Sequence, residues 1–183
     1  KATNILQGLR TGEVVGERMY LDEAFELAEG LIAYAKRCPH VRRLSFGGSL
    51  RRGCETVGDI DILVVSPAPE KVIAHFTHLD DVSRVLAEGS TKASVITKER
   101  IQVDLRVVEE KSYGAALAYF TGSKEHNVAL RSRAKARGLK VNEYGVYDAA
   151  GAALPLDDEA SVYRAVGLDW IPPELREADG EIE

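Results

Sequence analysis

The sequence has few of the residues that hold small secreted or zinc-dependent domains together. It contains two cysteines, Cys38 and Cys54, among 183 residues. Two cysteines are too few for a disulfide framework or a typical zinc site, so reduced thiols in a cytoplasmic protein are expected. No apolar run approaches the roughly 20 residues of a membrane span, and no signal peptide is evident. We expect a globular protein with no membrane partner, and the initial Lys1 suggests a piece of a longer chain.

The acidic net charge of −5 is unevenly distributed. Residues 174–183 hold five acids against one arginine, whereas residues 131–140 hold five basic residues and no acid. Binding to a polyanion depends on a local basic surface more than on the total charge. The distribution is therefore compatible with nucleic-acid binding through residues 131–140.

A run of small residues with two arginines, residues 47–53 (GGSLRRG), follows a predicted strand over 41–46. Glycines allow a tight turn, and Gly48 and Ser49 can then offer N–H and hydroxyl donors at a helix start, where anions are favoured. Arg52 can add charge-assisted hydrogen bonds to phosphate oxygens. The pattern indicates a phosphate-binding turn.

Residues 59–65 (DIDILVV) alternate between polar and apolar with a period of two. Asp59 and Asp61 therefore lie on one face of a predicted strand. Adjacent carboxylates repel each other unless a cation lies between them, and hard oxygen ligands suit Mg²⁺ or Mn²⁺. A solvated edge strand would also explain the pattern, and glycosyltransferases use a similar pair. The preceding Gly-Gly-Ser favours nucleotidyl transfer.

A third carboxylate, Asp104, lies in the alternating run 101–107 (IQVDLRV). It shares one face with Gln102 and Arg106, opposite the apolar side chains. We expect this strand to neighbour the first and to complete a three-carboxylate site.

These runs together resemble the family X DNA polymerases, the group typified by DNA polymerase beta. The resemblance rests on GGSLRRGCETVGDIDILVV, on QVDLR from residue 102, on YFTGS from residue 119 and on VNEYG from residue 141. The runs follow the family's order and cover roughly residues 16–177. The run PPELRE from residue 172 is most similar to bacterial members.

The resemblance implies DNA-directed DNA polymerisation, most simply the filling of short gaps during DNA repair. The implied partners are a dNTP, a primer–template or gapped DNA duplex and two Mg²⁺ or Mn²⁺ ions. The chain itself is expected to be a cytoplasmic monomer that associates with the nucleoid. Asp59, Asp61 and Asp104 would be catalytic metal ligands. The implied nucleotide-binding residues are Gly48, Ser49, Arg52, Arg18, Tyr119, Phe120, Gly122 and Asn127. The implied DNA-binding residues are Arg131, Lys135 and Glu143.

Several of these residues also have plainer interpretations. Arg18 could be a surface arginine. Asn127, Arg131 and Lys135 share one helix face and could form a solvated basic surface. Gln102 and Lys124 stand where DNA polymerase beta has an arginine and an acid, so the closing movement and the base contacts need not follow the family pattern.

The fold implied is α+β: a nucleotidyltransferase palm with a mixed, mainly antiparallel sheet and helices on one face, followed by a small C-terminal subdomain of helices and a β-hairpin. Four regions are predicted: the end of a helix-hairpin-helix region (1–12), the palm (13–110), a nucleotide-selecting thumb subdomain (111–173) and an acidic exit linker (174–183). Two other functions stay open, a nucleotidyltransferase with a non-DNA acceptor and a non-catalytic DNA-binding module.

Overall fold

The structure, a computed structural model, describes residues 18–183 and is built around a five-stranded mixed sheet. In chain order its strands are β2 (Arg43–Phe46), β4 (Asp59–Val65), β5 (Val82–Glu88), β6 (Lys92–Thr97) and β7 (Gln102–Val108). Their spatial order is β2-β4-β7-β6-β5, with β4 and β7 parallel and the other neighbours antiparallel. The predicted mixed, mainly antiparallel sheet is confirmed.

Two smaller sheets, six α-helices and two short 3₁₀ helices, Glu110–Ser112 and Pro173–Leu175, complete the described chain. The small sheets pair β1 (Met19–Tyr20) with β3 (Thr56–Val57), and β8 (Lys140–Asn142) with β9 (Gly145–Tyr147). The helices are α1 (Leu21–Ala35), α2 (Gly48–Arg51), α3 (Pro69–Thr77), α4 (Tyr113–Thr121), α5 (Lys124–Ala136) and α6 (Glu159–Ala165). The mixed α+β architecture predicted from the sequence is confirmed.

The larger core lies between the sheet and helices α1 and α3. Helix α1 buries residues spaced three or four apart, and β4 contributes Ile60, Ile62 and Val64. The alternate apolar residues of β4, Leu63 and Val65, pack on the other side against helix α4. Both faces of β4 are therefore buried over most of its length, while Asp59 remains exposed at its start.

The smaller core joins α4, α5, α6 and the β8–β9 hairpin. Each new element begins at a local signal: the Ser123 side chain accepts the His126 N–H at the start of α5, and Asp158 with Ser161 forms a capping box at the start of α6. Helix α6 therefore begins at Glu159. The hairpin contributes Val141 and Val146.

The segment predicted as an exit linker, residues 174–183, is mostly exposed, but Arg176, Glu181 and Ile182 pack against the C-terminal subdomain. Arg176 is completely buried, and Ile182 belongs to the smaller core. The Glu181 carboxylate lies 2.6 Å from Nδ1 of the buried His126. The segment packs on the C-terminal subdomain because a buried arginine and a buried isoleucine hold it there, and these long-range contacts have no periodic signature in the sequence.

The predicted helix-hairpin-helix region, residues 1–12, and the start of the palm before residue 18 lie outside the described residues. Over residues 18–183 no helix is long and apolar enough to cross a membrane. The boundaries at residues 110 and 173 stay predictions.

Candidate active site

The three predicted carboxylates meet at one end of two adjacent parallel strands. Asp59 and Asp61 lie on β4, and Asp61 is directly opposite Asp104 in the β4–β7 register. The period-two alternation of both strands turns the apolar neighbours into the core. The structure thus brings together the residues that the sequence analysis grouped.

Crowding makes this cluster unfavourable when every carboxylate is ionised. Burial, and then the charges of Asp59 and Asp104, raise the pKa of Asp61 to about 7. Burial and the charge of Asp104 also raise the pKa of Asp59, against the opposing effect of Arg18. A cation at this position would relieve the repulsion.

Two neutral donors hold Asp104. Its Oδ1 accepts a hydrogen bond from the Ser94 hydroxyl at 2.6 Å and another from the Gln102 side-chain amide at 3.0 Å. Ser94 is the partner of Asp104 across the antiparallel β6–β7 pair. Sequence analysis placed Gln102 on the correct face but missed Ser94, because only the strand pairing brings it to Asp104.

The glycine turn approaches Asp61 closely. The Gly47 N–H donates to the Asp61 carbonyl at 2.8 Å. Gly48, the first residue of α2, has φ +59°, and a Cβ there would lie 2.5 Å from Oδ2 of Asp61. Only glycine allows both this conformation and this contact. The predicted helix start at Gly48 and Ser49 is confirmed, and it lies against the carboxylate cluster.

The carboxylate oxygens of this cluster are of the type that hard divalent cations prefer. In the structure, however, the side chains are not arranged as a complete set of metal ligands. Among residues 18–183 no three carboxylate, imidazole or thiol side chains converge closely enough to hold a metal ion. The half-buried Asp61, with its raised pKa, lies next to two other carboxylates, and oxygen donors are the ligands that Mg²⁺ and Mn²⁺ prefer. That Asp59, Asp61 and Asp104 bind such ions stays a prediction.

The two arginines predicted to contact phosphate both have protein partners. Arg18 donates to the Thr56 hydroxyl at 2.7 Å and to the Thr56 carbonyl at 2.6 Å. Arg52 donates to the Thr121 carbonyl at 2.6 Å and to the Glu177 carboxylate at 2.6 Å. The Glu177 contact was not predicted, because it joins residues 125 positions apart.

A crevice next to Asp61 is lined by both subdomains. Gly47, Arg106, Leu117 and Phe120 contribute to it. The Arg106 guanidinium lies 4.4 Å from the centre of the Phe120 ring, and Tyr119 packs edge-on against Phe120. These contacts bring the predicted aromatic pair to the edge of the carboxylate site.

The absence of a side chain at Gly122 allows the Arg52 guanidinium to lie close to the backbone there. Its φ is +73°, and a Cβ there would lie 3.1 Å from Nη1 of Arg52. The predicted nucleotide-binding residues Gly122 and Arg52 are therefore neighbours.

Only some of the basic side chains predicted to bind DNA from α5 and the residues that follow it are free to face a ligand. The Asn127 amide donates to the Tyr119 carbonyl at 2.7 Å, and Arg131 and Lys135 are exposed. By contrast, the Arg133 and Arg137 guanidiniums donate to backbone carbonyls of residues 166, 167 and 182. Their contribution to a basic surface is therefore smaller than the residue count of 131–140 suggested.

Glu143 is half-buried in the turn of the β8–β9 hairpin. The Asn142 side chain fixes this turn by accepting the N–H groups of Tyr144 and Gly145. Its predicted role in DNA binding stays a prediction.

A buried ion network that the sequence analysis did not find joins the two cores. Glu159 accepts two hydrogen bonds from Arg51, at 2.6 and 2.8 Å, and one from Arg176 at 2.8 Å. Burial opposes ionisation of Glu159, but the two arginines outweigh it and lower the pKa to about 2. The sequence offers one weak clue, an acid that directly follows a helix cap.

Comparison with known proteins agrees with this arrangement. The family model "DNA polymerase beta palm" matches residues 18–129, and the model "DNA polymerase beta thumb" matches residues 116–177. The chain is 36% identical to "DNA polymerase/3'-5' exonuclease PolX" of Bacillus subtilis, over 98% of this chain and 32% of that protein. It is 26% identical to "DNA polymerase lambda" of Rattus norvegicus, over 93% of this chain and 35% of that protein.

A shorter relative matches over a larger share of its own length. The chain is 27% identical to "Repair DNA polymerase X" of African swine fever virus, over 70% of this chain and 78% of that protein. The chain spans about a third of the length of the bacterial and rat relatives.

Proposed function

This chain belongs to the family X DNA polymerases, and from that premise we propose that it transfers a deoxynucleotide from a dNTP to a primer 3′ hydroxyl in short-gap DNA repair. The observation that carries the proposal is the meeting of Asp59, Asp61 and Asp104 on two adjacent strands, against a glycine helix start. Carboxylates and an anion-binding helix start next to each other suit a metal-bound triphosphate.

Asp59 and Asp61 would each hold both ions, and Asp104 would hold only the ion at the primer. Two divalent ions, when bound, stabilise the charge on the attacking and leaving oxygens. The chain itself supplies the positioning: Ser94 donates to the Asp104 carboxylate from β6, the neighbour of β7 opposite β4, and Gln102 donates to it from β7 itself.

The triphosphate would lie over the Gly48 and Ser49 helix start, with Arg52 as the charged donor. Donors fixed in place before the reaction need little reorganisation when charge develops on the phosphates. Arg18 would contribute at a greater distance, since Thr56 holds its guanidinium.

The sugar of the incoming nucleotide would lie against Tyr119 and Phe120, where a 2′ hydroxyl would be excluded. Asn127 would contact the base, and Arg131, Lys135 and Glu143 would contact or orient the DNA. The edge-on aromatic pair and the Asn127 hydrogen bond to the Tyr119 carbonyl support one continuous surface from sugar to base. We also propose that the chain acts as a monomer in the cytoplasm, at the nucleoid.

Labelling with a dNTP tests the proposal against the other acceptors. The chain is incubated with dATP labelled at the α-phosphate, Mg²⁺ or Mn²⁺, and either a one-nucleotide-gapped DNA duplex, the protein alone or an aminoglycoside. We expect label on the primer 3′ end of the gapped duplex only, and preference for dATP over ATP. Label on the protein or the aminoglycoside would identify a different nucleotidyltransferase, and DNA binding without any labelling would identify a non-catalytic module.

A further inference from the structure

The Arg52 guanidinium has an acceptor at each of its nitrogens. Nε donates to Oε1 of Glu177 at 2.6 Å, Nη1 donates to the Thr121 carbonyl at 2.6 Å, and Nη2 lies 3.7 Å from Sγ of Cys54. The Cys54 thiol also points to Oε1 of Glu177, at 3.5 Å. These contacts use three of the five guanidinium N–H groups, and a phosphate oxygen that binds at Nε must replace or share the Glu177 carboxylate.

The two oxygen partners of Arg52 differ in how easily they can be replaced. The Thr121 carbonyl belongs to the backbone at the end of α4, and Thr121 is completely buried. The Glu177 side chain keeps 42% of its surface exposed, whereas that of Arg52 keeps 13%. Ion pairs with an exposed partner contribute little free energy, so the Glu177 carboxylate is the exchangeable partner.

The buried neighbour of Glu177 fixes its position next to Arg52. The preceding residue, Arg176, is fully buried and donates to the Ile171 carbonyl at 2.7 and 2.9 Å and to Glu159 at 2.8 Å. Since residue 176 is anchored, the direction in which Glu177 leaves it is set by the core. The contact is therefore a built-in feature of the C-terminal segment and not a chance meeting of surface side chains.

We infer that Glu177 competes with the nucleotide phosphates for Arg52 and so limits the affinity of the chain for triphosphates. The inference rests on the proposed function for the phosphate-binding role of Arg52. A carboxylate and a phosphate oxygen are alternative acceptors for the same Nε–H, and they repel each other when both are close. Loss of the Glu177 charge leaves Arg52 anchored by Thr121 and frees one donor.

Binding of dATP with Mg²⁺, without DNA, tests the inference by isothermal titration calorimetry at physiological ionic strength. We expect Glu177→Gln to bind dATP about fivefold more tightly, a change of about 1 kcal/mol, the upper value for an exposed ion pair. The control is Asp179→Asn, which also removes one negative charge from an exposed residue of the same segment and should leave the dissociation constant unchanged. Arg52→Gln should weaken binding, and Glu177→Gln added to it should have no further effect.

The outcomes separate the inference from the proposed function. Unchanged or weaker binding by Glu177→Gln, when Arg52→Gln weakens binding, overturns the inference and leaves the proposed function standing. An Arg52→Gln protein that binds dATP as well as the parent would show that Arg52 does not bind the phosphates, and this result also overturns the inference. A parent chain that does not bind dATP overturns both. Thermal unfolding of each variant within a few degrees of the parent shows that the fold is retained.

Discussion

Asp61 and Asp104 are direct neighbours on parallel strands, and Asp104 is in turn the direct neighbour of Ser94 on the next strand. One row across three strands therefore contains two carboxylates and a hydroxyl that donates to the second carboxylate. The Asp104 carboxylate is therefore repelled by Asp61 on β4 and stabilised by the Ser94 hydroxyl on β6.

The pKa of Asp61 predicts how the stability of the metal-free protein depends on pH. Its folded-state pKa of about 7 lies above the unfolded value near 3.9, so the folded state binds more protons between these values and loses stability as the pH rises. We expect Asp61→Asn to be more stable than the parent by on the order of 3 kcal/mol at pH 8, and to differ little near pH 4. Urea unfolding in EDTA at both pH values measures this.

The control for that measurement is Asp169→Asn, which removes one charge from an exposed residue. It should follow the parent at both pH values. A parent whose stability relative to Asp61→Asn does not change with pH would contradict the raised pKa of Asp61.

Ser94 should act on the reaction through Asp104. Replacing a residue that orients a metal ligand commonly costs about ten- to a hundredfold in activity or metal affinity. We expect Ser94→Ala to lower the extension rate by about tenfold with little change in the dissociation constant for dATP, because Asp59 and Asp61 are left in place. Ser94→Thr keeps the hydroxyl and should recover most of the rate.

Ser83→Ala is the matched control for Ser94, since the Ser83 hydroxyl donates to carbonyls of the same sheet away from the carboxylates. Equal loss of rate in Ser83→Ala and Ser94→Ala would show that the effect comes from the stability of the sheet and not from Asp104.

Glu159 should contribute far more to stability than an exposed carboxylate with one arginine. Glu159→Gln leaves Arg51 and the fully buried Arg176 without a counter-charge, and such a loss typically costs about 3–5 kcal/mol. Glu110→Gln breaks the exposed pair with Arg43 and should cost about 0–1 kcal/mol. Chemical unfolding of both variants gives the comparison, and similar costs would mean that the Glu159 network does not join the two cores.

DNA binding should be weak and sensitive to salt. Among the five basic residues at 131–140, Arg133 and Arg137 donate to backbone carbonyls of other elements, and Arg131 donates to the Asn127 carbonyl of its own helix. Arg131, Lys135 and Lys140 are exposed. Each phosphate contact contributes about 0.9 to the slope of log K against log salt. We expect Lys135→Gln to lower that slope by about 0.9 in anisotropy titrations of a gapped duplex.

Lys71→Gln, on the exposed face of α3, is the control and should leave the slope unchanged. Tight binding of the parent that hardly changes with salt would mean that another surface holds the DNA.

The sequence predicted the elements whose own residues determine them. The strand over 59–65 was predicted with the bounds observed, because the alternation of β4 is a local pattern. The helical spacing of Ala24, Ala28 and Leu31 in α1 is a local pattern of the same kind. The glycine helix start was predicted for the same reason. The neighbouring position of Asp104 followed from the resemblance and from its matching alternation.

The missed features all depend on pairing between distant residues. Glu177 contacts Arg52, and Arg176 contacts Glu159, because residues of the C-terminal segment pack against the smaller core. Their acidic composition suggested a solvated linker, which is the usual interpretation of such a run. The carbonyl contacts of Arg133 were hidden in the same way, since a count of charges does not tell which guanidiniums are already bound.

The most direct test of the account is the rate at which one nucleotide is inserted into a gapped duplex by the parent, by Asp104→Ala and by Asp169→Ala. Stabilisation by bound divalent ions amounts to several kcal/mol, so we expect Asp104→Ala to lower the single-turnover rate in Mg²⁺ more than about a hundredfold. Asp169→Ala should insert at the rate of the parent, and all three should bind dATP. Insertion by Asp104→Ala at the parental rate would contradict the central claim that the carboxylates on β4 and β7 form the reaction centre.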